Sequence, residues 1–315
     1  MVLVFLEQVN GQIKKSSFEV ASFAADLAYE IGTKTIGIIA KGSENIAVLG
    51  SYGIDEIFEF PAADYLDSQQ WVQILTQAYT QLNPDYLVLS NNSLGKSIGG
   101  SLSVKLNNGL ISNAIQFKLE HSKPIFKKSV FSGKAFAWYG FSGNKGIISI
   151  MPHGYGVFSN KNKNTVISSM DLKPLEPKAK LRERNLIKGK TPLTESDIVV
   201  SAGRGLKDPA NWPMIEELAD ILNAATACSR PVADAGWRPH HEHVGQTGIA
   251  IRPNVYIAIG ISGAIQHLAG VNNSKSIVVI NKDSEAPFFK AADYGICGDL
   301  FEIIPKLNEA LKKAK

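Results

Sequence analysis

The run Val255-Tyr-Ile-Ala-Ile-Gly260-Ile-Ser-Gly-Ala-Ile-Gln-His267 passes from an apolar strand pattern into a glycine-rich turn and then a helical pattern. Strand, tight turn and helix in that order form the unit from which parallel α/β sheets are built. Two more polar-and-glycine segments lie in the last third, Gly203-Arg204-Gly205 and Val244-Gly245-Gln246-Thr247-Gly248, each beside an apolar run. Glycines let backbone N–H groups approach a phosphate, and a helix N-terminus favours its negative charge. Arg204, Arg230, Thr247, Ser262, Gln266 and His267 add groups able to hydrogen-bond a heteroaromatic ring and a ribityl or ribose chain. The C-terminal part reads as a holder for a large phosphorylated cofactor.

Working outward, Ile198–Val200 and Ile277–Ile280 read as further strands. Trp212–Ala225, Ser262–Ala269 and Leu300–Ala314 read as helices, the last with lysines at its C-terminal end, where cations suit the dipole. The first half alternates in the same way. Val2–Leu6, Thr35–Ala40, Asp55–Phe60 and Tyr86–Leu89 are strands, and Ser17–Ile31, Ser68–Leu82 and Ser93–Leu110 are helices. From Ser112 the pattern turns to β-like runs, Ala114–Leu119, Ala135–Phe141 and Gly146–Ile150, a mixed edge added to the sheet. The expected architecture is α/β with two Rossmann-like domains, 1–187 and 188–315, the second a doubly wound parallel sheet.

The 315 residues suffice for two cores, and 44% hydrophobic with 20% charged residues is a globular composition. No apolar stretch approaches the roughly 20 residues that span a bilayer. Val2–Leu6 follows Met1 without a basic n-region, which argues for a strand rather than a signal peptide. Two cysteines, Cys228 and Cys297, make a disulfide framework or thiolate zinc site implausible and fit a reducing compartment. That means the cytoplasm of a bacterium, or the mitochondrial matrix for a mature, cleaved chain. The net charge is +4, and Lys173–Lys190 alone carries seven Lys/Arg against two Asp/Glu. A basic, proline-containing connector explains it better than a nucleic-acid surface.

Several motifs have plain readings. Gly203-Arg-Gly205 lacks the third glycine of the dinucleotide fingerprint. Gly260-Ile-Ser262-Gly263-Ala264 has alanine where the hydrolase elbow needs glycine, and His267 on the same turn is not a triad arrangement. His240-His241-Glu242-His243 lacks metal-site order and reads as a solvated loop, so no metal is expected. Glu216-Glu217 reads as a solvated helix face, and Cys228 as a small packed residue.

Ser201-Ala-Gly-Arg204-Gly-Leu-Lys207, Cys228-Ser229-Arg230-Pro231, Asp234-Ala-Gly-Trp237, Val244–Gly248, Tyr256–Gly270, Ile280-Asn-Lys-Asp283 and Ala292-Asp-Tyr-Gly295 together resemble the α (large) subunit of electron-transfer flavoprotein. The resemblance is dense across 198–315. It is looser but colinear before that, where Asn92–Lys96 and Ser112-Asn113 take part.

The resemblance implies one FAD, held chiefly by the second domain at a cleft facing a smaller β subunit. Arg230 would then lie by the isoalloxazine as a buried positive charge that favours the anionic reduced flavin and raises its potential. Thr247 would bond near N5, and His267 near the pyrimidine carbonyl. Gln246 and Gln266 would serve ring and ribityl atoms. Arg204, Ser229 and Ser262 would serve the pyrophosphate and nearby sugar, and Asn281, Asp299 and Leu300 the adenosine end. Val244, Gly245, Gly263, Ala264 and Ile265 complete the implied cofactor-binding set.

The implied function is a redox carrier without its own small-molecule substrate. It would take electrons from flavin dehydrogenases, such as the acyl-CoA dehydrogenases of fatty acid β-oxidation, to a membrane quinone oxidoreductase. The first domain would be the scaffold for the β subunit. Alternatives are an NADH-using, electron-bifurcating version with a second FAD, a nucleotide-dependent enzyme, or a structural nucleotide-binding subunit.

Overall fold

The computed structural model describes residues 1–61, 65–131, 133, 135–159, 161, 163–177, 181–183 and 192–314. Two compact units divide the chain, Met1–Arg184 and Asn185–Lys315. The expected junction at 187–188 and most of the basic connector lie outside the described residues.

The first unit holds strands β1 (Val2–Leu6), β2 (Thr35–Ala40), β3 (Glu56–Phe60), β4 (Tyr86–Ser90), β5 (Leu110–Glu120), β6 (Lys123–Val130), β7 (Ala135–Tyr139), β8 (Gly146–Ile150) and β9 (Val166–Ser169). They form one sheet in the order β9-β3-β2-β1-β4-β8-β5-β6-β7. Pairing is parallel throughout except at β5–β6 and β6–β7. Every residue of β1 is buried, as a strand covered on both faces requires. Its alternate side chains divide between two cores. Val2, Val4 and Leu6 meet α1 (Lys15–Glu30), whereas Leu3 and Phe5 meet α2 (Ser68–Leu82) and α3 (Ser93–Leu106).

The expected helix Ser93–Leu110 stops at Leu106 because Asn107 turns left-handed, at φ +49°. Leu110 instead opens β5 and packs against Gly99, where a Cβ would come 3.3 Å from its side chain. Close helix–strand approach therefore accounts for a glycine that weakens the helix by propensity. Strand β6 was not expected. Three lysines and a proline mask its alternation, and it exists by pairing on both sides.

On α1, the buried Glu19 accepts backbone N–H bonds from His153 (2.8 Å), Tyr155 (2.8 Å) and Gly156 (3.0 Å). This fastens the segment after β8 across the helix.

The second unit contains β10 (Ile198–Ala202), β11 (Ala225–Cys228), β12 (Val255–Ile259), β13 (Ser276–Asn281) and β14 (Tyr294–Cys297). Its sheet is wholly parallel in the order β11-β10-β12-β13-β14. This is a doubly wound sheet, and the chain reverses direction across it between β10 and β12. Helices α4 (Pro213–Leu222) and α7 (Leu300–Ala314) cover one face, around Ile215, Leu218 and Ile304. Val199, Tyr256, Ala258, Val279 and Phe288 fill the other.

The expected helix Trp212–Ala225 is shorter because Asn223 adopts φ +51° and caps it, freeing Ala225 to begin β11. Both β11 and β14 escaped the sequence reading, being four residues each.

Replacing Glu19 by Gln leaves one carbonyl oxygen for three donors. The first unit should lose about 1–3 kcal/mol, the scale of stranded buried donors. Urea unfolding followed by a probe in this unit would reveal that loss as a lower midpoint at constant slope.

Candidate cofactor site

Ligands of doubly wound sheets bind outside the carboxyl ends of the strands, where the winding direction switches. Here that place is the gap between β10 and β12. It is drawn tight by backbone alone, because Gly203 N donates to Ile259 O (2.9 Å) and Gly205 N to Gly260 O (3.1 Å). A Cβ on Gly203 would stand 2.4 Å from Gly260 O, and one on Gly205 2.6 Å from Gly260 Cα. Gly260 itself takes φ +59°.

Above this floor opens a cleft of about 470 Å³. Of the expected residues, Arg204, Ser229, Arg230, Val244, Gln246, Thr247, Ser262, Ala264, Gln266 and His267 form its wall. They come from the loops after β10, β11 and β12, and from the turn 244–248. That turn is held to helix α6 (Ile265–Val271) by Gln246 N donating to Gln266 O at 2.7 Å.

Helix α6 is Ile265–Val271 rather than the expected Ser262–Ala269. Gly263 at φ +79° and the extended Ala264 delay it. Seven residues make a weak dipole, so exposed backbone and hydroxyls carry the cradle more than a helix N-terminus does.

Six expected residues lie outside the wall. Gly245 packs its backbone on Gly270, and Gly263 lies against Phe288. Ile265 points outward, 73% exposed. Asn281 ties off β13 by donating to Ile261 O at 3.0 Å. Asp299 accepts from Phe301 N at the start of α7. Leu300 is a core side chain beneath Gly260.

The wall also contains Pro231, His243, Gly260 and Ile261. Their strand-end positions were visible signals for the last two. His243 was hidden by the reading of 240–243 as a solvated loop, which holds for His240 and His241 only. Glu242 and His243 are buried. Arg238 grips Glu242 at 2.6 Å, reaches Glu216 at 3.0 Å and stacks over Trp212 at 5.1 Å. Glu216 and Glu217 are therefore partnered rather than merely solvated, since Glu217 accepts from Lys312 (2.6 Å) and Asn308 (3.1 Å).

The charges of the wall are unequal. Arg230 was expected as a buried cation. In this chain its side chain is 63% exposed and shared with Asp234 at 3.2 Å, because both project from the short helix α5 (Arg230–Asp234). His267 is buried, and loss of hydration pushes its pKa down to about 4. His243 is lowered for the same reason. Burial pushes the Cys228 thiol up to about 12, which agrees with a packed residue rather than a nucleophile. No cluster of metal-ligating side chains occurs among the described residues.

Residues 2–166 match the electron transfer flavoprotein domain, and 192–272 match the electron transfer flavoprotein FAD-binding domain. The chain belongs to the electron transfer flavoprotein α-subunit family. It is 35% identical to the electron transfer flavoprotein subunit alpha of Syntrophomonas wolfei, over 98% of each chain. It is likewise 35% identical to that of Bacillus subtilis, covering 99% of this chain and 97% of the relative. A "Protein FixB" of Clostridium saccharobutylicum is 31% identical, covering 99% and 96%.

Its cofactor is therefore FAD, and its role is that of a redox carrier. The wall fits such a group. The crowded glycines hold the strand ends together beneath the cleft, the hydroxyls and guanidiniums suit phosphate and sugar, and the imidazole edge suits a ring carbonyl. Bound FAD supplies the electron-accepting ring, while the protein binds, orients and sets charge.

The depressed pKa of His267 has a pH consequence. The unfolded chain binds a proton here below the ordinary 6.5, whereas the folded one binds it only near 4. Stability of the second unit should thus fall as pH drops through that window. His267→Gln should flatten this part of the profile in denaturant titrations between those values, and an equally steep profile would contradict the burial effect.

Proposed function

We propose that this α subunit pairs with an electron transfer flavoprotein β subunit and holds one FAD in the cleft between β10 and β12. In this reading it receives electrons from flavin dehydrogenases, such as acyl-CoA dehydrogenases, and passes them to a membrane quinone oxidoreductase. The observation that carries the reading is the composition of the cleft wall. Its ionisable side chains are Arg204, Arg230, His243 and His267, with no carboxylate among the described residues to serve as a base toward a second substrate. Such a wall suits charge stabilisation on a resident cofactor rather than turnover of a third molecule.

The first unit then serves as the platform for the β subunit. No helix among the described residues is long and apolar enough to cross a membrane. An aqueous, cytoplasmic carrier that meets its quinone-linked acceptor at a membrane surface fits that.

Within this reading Arg230 is the fixed positive charge beside the ring, Thr247 the donor near N5, and His267 the donor to the pyrimidine carbonyl. Arg204, Ser229 and Ser262 hold the phosphates.

Co-purification with the β subunit, absorption spectroscopy and chromatography of the released cofactor test the proposal directly. One FAD per heterodimer is expected. Two would turn the reading to the bifurcating, NADH-using version, and none would sink it.

Arg230→Ala should retain FAD yet lower its midpoint potential. The expected loss is on the order of 1 kcal/mol, or roughly 40 mV per electron, for a solvent-facing charge. A reductive titration with an unchanged potential would remove Arg230 from that role.

A further inference from the structure

Tyr256 is the largest fully buried side chain among the described residues and packs in the core beside His267 of the cleft wall. Its hydroxyl oxygen is 2.8 Å from Nε2 of His267. Phe288 stacks on the Tyr256 ring (6.2 Å between centroids, 29°) and meets the His267 ring edge-on (5.7 Å, 70°). Phe288 is itself pressed against Gly263, where a Cβ would come within 2.5 Å of it. Three rings thus fill one close-packed space, and the imidazole cannot rotate without displacing the other two.

The phenol has one proton to place. Burial raises its pKa, so the proton stays on the oxygen at neutral pH. Ser201 lies on the same face of the neighbouring strand; its Oγ accepts no hydrogen bond, and toward the phenol its hydroxyl acts only as a donor, which lowers the phenol pKa against the larger effect of burial. Nε2 of His267 is therefore the acceptor within reach. Burial also keeps His267 neutral, and a neutral imidazole that accepts at Nε2 carries its proton at Nδ1. Among the described residues Nδ1 has no protein partner, while His267 forms part of the cleft wall.

We propose that Tyr256 is a positioning residue that fixes His267 as its Nδ1–H tautomer, so that the cleft offers the flavin a neutral N–H donor rather than an imidazolium. This rests on the placement of FAD given under Proposed function. A neutral donor of fixed direction strengthens as negative charge gathers on the oxygen it faces. It needs no proton uptake to do so, and the lasting positive charge of the site is left to Arg230.

The test uses the FAD-loaded heterodimer with nitrogen-labelled histidine and long-range proton–nitrogen correlation NMR at neutral pH. The expected result is a His267 with Nδ1 protonated and Nε2 bare. In Tyr256→Phe, which keeps the ring and removes only the hydroxyl, the preference should fall roughly tenfold, the scale of one hydrogen bond. The midpoint potential of the flavin should shift while FAD content stays that of the unaltered protein.

A protonated Nε2 or an imidazolium in the unaltered protein would overturn the proposal, as would an unchanged tautomer ratio in the variant. If Tyr256→Phe fails to fold, the spectrum of the unaltered protein still decides. Absence of flavin from that protein would count against the reading of the cleft. The tautomer read in the same flavin-free sample would still decide the role of Tyr256, so the two failures are distinguishable.

Discussion

Two backbone hydrogen bonds, from Gly203 N–H to Ile259 O and from Gly205 N–H to Gly260 O, are the constraint on which the C-terminal unit turns. They close the ends of β10 and β12 to a distance that no side chain tolerates. The crowding at Gly203, Gly205 and Gly260 is mutual, so a Cβ on any of the three would strike backbone. With the floor drawn so tight, the loops that follow must diverge, and the cleft is the space they leave. Leu300 supports the floor from below, which links the start of α7 to the cleft without placing that side chain in it.

Burial then divides the labour among the polar groups. Burial lowers the pKa of both His267 and His243, whereas the Arg230 side chain stands largely in solvent. A guanidinium remains protonated in any environment a protein provides, so the wall combines a lasting cation with imidazoles that burial turns toward neutrality. Asp234 shares the exposed guanidinium and moderates the field that reaches the cleft.

Much of this was legible in the sequence because its signals are local. The strands β1, β2 and β12 are apolar runs ended by glycine or charged residues, β8 is one ended before Met151-Pro152, and the sequence bounds all four to the residue. Ten cleft-wall residues were likewise readable, from the polar and glycine segments around 203–205, 244–248 and 260–267 and from Ser229-Arg230. What escaped was set by tertiary partners. Strand β6, with lysines at 123, 127 and 128 and a proline at 124, shows no clean alternation and depends on β5 and β7 for its identity. The four-residue β11 and β14 are strands because β10 and β13 pair with them. His243 was hidden in a run of polar letters, since only the grip of Arg238 on Glu242 pulls that loop inward. Asn281, Asp299 and Leu300 were implied by the resemblance at the adenosine end, and in the structure their side chains finish a strand, start a helix and fill a core.

The Arg238 cluster has a consequence for how the protein meets its cofactor. By clasping Glu242 and Glu216 while lying over Trp212, it anchors the segment leading into His243 and Val244 to helix α4 through internal contacts. That side of the cleft is ordered when the chain folds, so its conformational freedom is already lost before a ligand arrives. Association then bears a smaller ordering cost, and a molecule of the wrong shape meets a wall that does not adapt to it. The clasp makes the site a rigid gauge as much as a container.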